Sequence, residues 1–227
     1  MAGAGPDWVP IAITAVSTLA ASAIGAWAVY RGSARASEQA VAIAREQRRY
    51  ERVHEMRAEV LPTLYADLHT LHDAIVSLST VSLTVPNDTY EGLLDRIEEI
   101  EKRLNPQIVL ANEKVNEIYE YYKLHILWIP EDIKTSLLTA RESLADQAYK
   151  SGLVYENFES VLAEASARRK NAALGSEEAA AIEAEVLRAA AEADTQIGEI
   201  RDWLRTTGQE HLKAFRVAAQ RVLITET

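Results

Sequence analysis

From Trp8 to Tyr30 the chain reads WVPIAITAVSTLAASAIGAWAVY and carries no charge. No other feature restricts the fold as much. As a helix, this run would extend about 34 Å, close to the hydrocarbon thickness of a bilayer. Trp8, Trp27 and Tyr30 stand near its ends, where amphipathic rings favour the headgroup level. A secretory signal peptide needs a positive n-region, yet only Asp7 precedes the run, and the cleavage-like triplet "ASA" at 21–23 is common in alanine-rich helices. A buried core helix would be more apolar, since Thr14, Ser17, Thr18 and Ser22 dilute this one. The reading is a transmembrane helix over 8–30, with a short external N-terminus over 1–7.

The flanks orient the span. Arg31, Arg35, Arg45, Arg48, Arg49, Arg52 and Arg57 follow it, and no lysine or arginine precedes it. The positive-inside rule then puts residues 31–227 in the cytoplasm and the span in the inner (cytoplasmic) membrane. Arg31 and Arg35 fall at the membrane interface with the ring residues. Glu38, Glu46, Glu51, Glu55 and Glu59 offset the arginines, seven minus five leaving +2 over this stretch. A solvated juxtamembrane helix over 31–59, carrying i,i+4 ion pairs, is expected. Within the span, Thr14, Thr18, Ser22 and Ala26 recur every fourth residue, with Gly25 beside them. Small faces let helices approach closely in lipid, so a homo-oligomer through the span is expected.

Beyond the arginines, apolar residues recur at helical spacing and no strand-like alternation is seen. Glycine and proline are sparse, with 9 and 6 in 227 residues. "TVPND" at 84–88 reads as a turn, with Asp88 placed to cap the next helix. Stripes follow at Leu93, Ile97, Ile100 and Leu104, then Ile108, Val115, Ile118 and Tyr122. "WIPED" at 128–132 ends that helix and opens another, with Pro130 suited to a first turn. Ile133, Leu137, Ala140, Leu144 and Ala148 share a face that Phe158, Leu162 and Ala165 continue. "LGSEE" at 174–178 combines a glycine stop with a Ser176 cap. The last stripe is Ile182, Val186, Ala189, Ala193, Ile197, Ile200 and Leu204, then Leu212, Phe215 and Val222.

Four segments result, roughly 36–83, 89–128, 131–173 and 177–223. Matched lengths and short loops are what an up-down-up-down arrangement requires. The fold expected is all-α: the transmembrane helix continues into a long, coiled-coil-like antiparallel four-helix bundle over 60–227, with 36–59 starting its first helix. Pro62, Pro106, Gly152 and Gly198 fall near the segment midpoints, where a bend is expected.

"RGSARASEQAVAIAREQRRYERVHEMRAEVLPTLYADLHTL", following a span, resembles many small actinobacterial membrane proteins of uncharacterised function. "IVLANEKV" at 108–115 and "FRVAAQRVL" at 215–223 look like later helices of that group, whereas the tyrosine-rich stretch 118–128 departs from it. The resemblance implies an inner-membrane anchor and a helical cytoplasmic part. It carries no catalytic residue to transfer.

Chemistry-bearing motifs are scarce. No cysteine is present, which removes disulfides, thiolate metal sites and cysteine nucleophiles. A net charge of −10 argues against nucleic acid as a partner. His69 and His72, spaced i,i+3 beside Asp73, are the weak metal candidates, and histidines on a solvated face are the commoner case. A di-iron bundle needs Glu-x-x-His on two helices, and Glu51–His54 alone has that spacing. "GAGP" at 3–6 lacks the context of a phosphate loop, and no nucleophile elbow occurs. No cofactor and no enzymatic activity are expected.

The best expectation is therefore a membrane-anchored cytoplasmic scaffold or adaptor for an unknown cytoplasmic protein. A membrane-perturbing or pore-forming effector and a transmembrane signal relay are the rivals. The aromatic stretch "IYEYYKLHILWI" at 118–129 reads as core with an amphipathic rim. In the antiparallel arrangement its end returns to the bilayer, so Leu127, Trp128 and Ile129 are expected to dip into the interface or pack on the base of helix one. The turns at 84–88 and 174–176 then share the distal end, where a partner would dock.

Overall fold

The computed structural model describes the backbone of residues 8–84, 89–173 and 175–225. Side chains are described for Ser22 and from residue 25 onward within those ranges, to residue 224. Among the described residues the chain is all-helical. Helix α1 is Trp8–Ser79, α2 is Tyr90–His125, α3 is Glu131–Asn171 and α4 is Glu177–Trp203. A π-helical turn, Leu204–Gly208, leads directly into α5, Gln209–Thr225. Two units divide the chain, residues 1–53 and 54–227.

The first unit comprises the N-terminal part of α1, and its described side chains face solvent almost throughout. Trp27 is 58% exposed and Tyr30 74%, and Arg31 lies over the Trp27 ring at 4.6 Å. Among the described residues no helix is long and apolar enough to cross a membrane. Most of the expected span lies outside those residues, because the side chains of 8–21, 23 and 24 are not described.

The second unit is a helical bundle. Leu61, Leu64, Leu68, Leu71, Ile75 and Leu78 alternate steps of three and four along α1, and each is at most 1% exposed. That alternation is the seam of knobs-into-holes packing. From α2 come Leu93, Ile100, Leu104, Ala111, Ile118 and Tyr122. From α3 come Ile133, Leu137, Ala140, Leu144, Phe158, Leu162 and Ala165. Ile182, Val186, Ala190, Ala193, Ile197 and Ile200 of α4, with Leu212 and Phe215 of α5, close the core. Ile97, Ile108, Val115 and Ala189, expected inside, are half-buried at its margin.

Cross-helix contacts give the directions. Arg57 Nε donates to Trp128 O at 3.0 Å and Lys114 pairs with Asp67 at 3.0 Å, so α1 and α2 run antiparallel. Arg141 Nε reaches Val115 O at 3.1 Å and Tyr90 Oη meets Ser166 Oγ at 3.3 Å, so α2 and α3 are antiparallel too. Arg169 with Glu183 and Arg168 with Glu185 set α3 against α4 in the same sense.

Several local expectations meet different atoms. Thr89 caps α2, its hydroxyl accepting from the Gly92 N–H at 3.1 Å, and Asp88 lies outside the described residues. A hydroxyl one residue later reaches the orphan amide that the carboxylate was expected to take. Ser176 caps α4 as expected, accepting from the Ala179 N–H at 3.2 Å, and Gly175 takes a φ of 74° just before it. Pro130 is the residue preceding α3. The helices run through Pro62, Pro106, Gly152 and Gly198; the departure from α geometry falls at 204–208.

Candidate functional site

Three places along the bundle carry its polar chemistry. The end of α1 is not an end of the bundle: Thr84 is held by Asp194, well along α4 from its Ser176 cap, so it does not share the distal end with the 174–176 turn as expected. At the end of α1, Tyr155 Oη donates to Leu78 O at 2.8 Å, and the Arg201 guanidinium donates to Ser79 O, with Nε at 2.6 Å. These bonds satisfy carbonyls that a helix C-terminus leaves without an intrahelical partner. The chain beyond is held by Asp194, which accepts from Ser82 Oγ, Leu83 N, Thr84 N and Thr84 Oγ1 at 2.6–2.9 Å. Burial, and next the Asp194 carboxylate, push the Tyr155 phenol well above its ordinary 10.0, with Arg201 opposing. This cluster fastens a connection. It is closed by its own partners and offers nothing to a substrate.

The α2–α3 turn, by contrast, is apolar and open. Leu124 is 77% exposed and Leu127 89%, while Trp128 is half-buried and Ile129, at 3%, belongs to the core. Tyr122 is buried and Tyr119 is exposed, its ring contacted by Lys123 and Arg141, each at 4.7 Å. The bond from Arg57 fixes Trp128 against α1 from the backbone side.

The waist is built around His72, a buried polar residue at 3% exposure. Its Nε2 lies 3.3 Å from Leu204 O and 3.4 Å from the Gln209 side-chain nitrogen, so the ring sits against the π-turn. Gly208 makes the room: a Cβ there would come within 3.3 Å of Trp203 and 3.6 Å of His72. Asp73 accepts from Nδ1 of both histidines, at 3.0 Å from His69 and 3.3 Å from His72. The sequence pair His69/His72 is therefore brought together with Asp73, but through atoms a metal would require. Among the described residues no three such groups are arranged to hold a metal ion.

Of the other sequence-selected residues, Ser22, Gly25, Ala26 and Arg35 are exposed, whereas the side chains of Trp8, Thr14 and Thr18 lie outside the described residues. The π-turn, and the cleft beside it, carried no motif. Tyr65, Arg205, Thr206, Gln209, Glu210, Leu212, Lys213 and Arg216 enclose a volume of about 500 Å³ there. Tyr65 stacks on buried Phe215, with ring centroids 6.4 Å apart, and so has a fixed wall behind it. Comparison with known proteins adds no analogy: no family model, no curated protein and no solved structure matches the chain.

Proposed function

We propose that this protein is a single-span membrane anchor whose helical bundle holds another protein at the inner face of the cytoplasmic membrane. The observation that carries the reading is the uncharged run Trp8–Tyr30, with arginines on its C-terminal flank alone. In this reading the bundle of residues 54–227 is the cytoplasmic part, and α1 is the element shared between anchor and bundle. The N-terminus lies outside. Thr14, Thr18, Ser22, Gly25 and Ala26 form the face through which two spans associate. Exposed Leu124 and Leu127 beside Trp128 suit an apolar contact, with the bilayer interface as its partner. Fractionation of the full chain tests the anchor. Retention in the membrane pellet after alkaline carbonate is expected, and release into the supernatant contradicts the reading.

A further inference from the structure

The cleft beside the π-turn is cationic in a strongly acidic chain. Among the described residues of the bundle unit, most lysines and arginines close an ion pair, a backbone hydrogen bond or a ring contact, Arg57, Arg96, Lys114, Arg169 and Arg201 among them. Lys170, Arg188, Arg205, Lys213 and Arg216 make none, and three of these five line the one 500 Å³ cleft. Glu210 is the acid of that lining, so the cleft carries +2 (three cations minus one acid) against −10 for the chain. Lys213 and Arg216 are spaced i,i+3, where like charges on a helix repel. Among the described residues neither side chain closes an ion pair, although acidic residues outnumber basic ones in the sequence by 34 to 24.

We infer that this cleft binds a phosphate group. Two guanidinium forks offer paired N–H donors to phosphate oxygens, and an ammonium adds a third charge. Thr206 and Gln209 supply neutral polar groups on the same lining, and the Tyr65 ring, held by Phe215, gives a flat wall for whatever carries the phosphate. The π-turn belongs to this design, since such turns occur frequently at functional sites. Arg205 lies within this turn, whose inner side Gly208 and His72 pack. A phosphate on a lipid headgroup and a soluble phosphate share this chemistry.

The test uses the full chain in neutral maltoside micelles, with inorganic phosphate as the probe and chloride of equal ionic strength as the control. Ligand bound only by the folded state raises the thermal midpoint saturably, so phosphate should raise it and chloride should not. Arg205→Ala/Arg216→Ala should weaken the response at least tenfold. Arg216→Glu should abolish it while the protein stays folded, because Lys213 then gains an i,i+3 partner of opposite charge. Addition of phosphatidylglycerol that competes with phosphate assigns the site to a lipid headgroup; absence of competition assigns it to soluble phosphate. The inference is overturned by a midpoint that phosphate does not move. It is equally overturned by an undiminished response in Arg216→Glu, or by a glutamate peptide that matches phosphate, which would make the cleft an acidic-peptide site. None of these outcomes depends on the span.

Discussion

Asp194 accepts four hydrogen bonds from three consecutive residues, and two of the donors are backbone amides of a connection that makes no ladder. Its removal leaves Leu83 N and Thr84 N without that acceptor, and hydrogen bonds to charged groups are the strong ones. Asp194→Ala should therefore lower stability by about 2 kcal/mol, read as a reduced urea midpoint at unchanged slope; a midpoint equal to the parent's contradicts this. Tyr155 makes a prediction in pH. Its folded pKa is raised above the unfolded 10.0, so its contribution is fully present below pH 10 and is lost as pH rises beyond it. In that window the parent should lose up to about 1.4 kcal/mol per pH unit more than Tyr155→Phe does. Equal alkaline slopes in the two proteins would remove the phenol from the account. None of these partners could be read from sequence, since Asp194 and Thr84 lie 110 positions apart.

At the scale of the element, periodicity made most of the core legible. Ile133, Leu137, Ala140 and Leu144 repeat at three and four, and all are fully buried. The α1 seam from Leu61 to Leu78 has the same period but continues without a break from the arginine-rich exposed stretch of the same helix, which masks where burial begins. Leu68→Ala in that seam should cost about 2–5 kcal/mol of unfolding free energy, and a loss below about 1 kcal/mol would show the seam to be loosely packed. The π-turn was illegible for a physical reason. One extra residue per turn leaves Ile200, Leu204, Leu212 and Phe215 at spacings an uninterrupted helix also allows. Only Gly208 marks the place, and the expected weak points lie elsewhere. Gly152 and Gly198 have nothing within 4 Å of an added Cβ, so each glycine-to-alanine change should stabilise by about 0.5–1 kcal/mol. Gly208→Ala should fall short of that gain, being crowded by Trp203 and His72.

At the scale of the whole molecule, the proposal joins an N-terminal anchor to a bundle with three distinct features: a polar lock where α1 ends, an apolar turn and a cationic waist. All-helical organisation was readable from sparse glycine and uninterrupted 3.6-residue periodicity. The cationic waist was not, because Tyr65 and Arg216 approach only when α1 and α5 are packed together. Self-association through the span is tested by Ser22→Leu/Gly25→Leu, which should reduce crosslinked oligomers in membranes; an unchanged yield removes that face from the proposal. The most direct test of the central claim uses the absence of native cysteine. Single-cysteine proteins Ala4→Cys and Ser160→Cys are labelled in intact cells with a membrane-impermeant maleimide. The account predicts that position 4 reacts in intact cells and position 160 only after lysis; labelling of position 160 in intact cells, or protection of position 4, contradicts it.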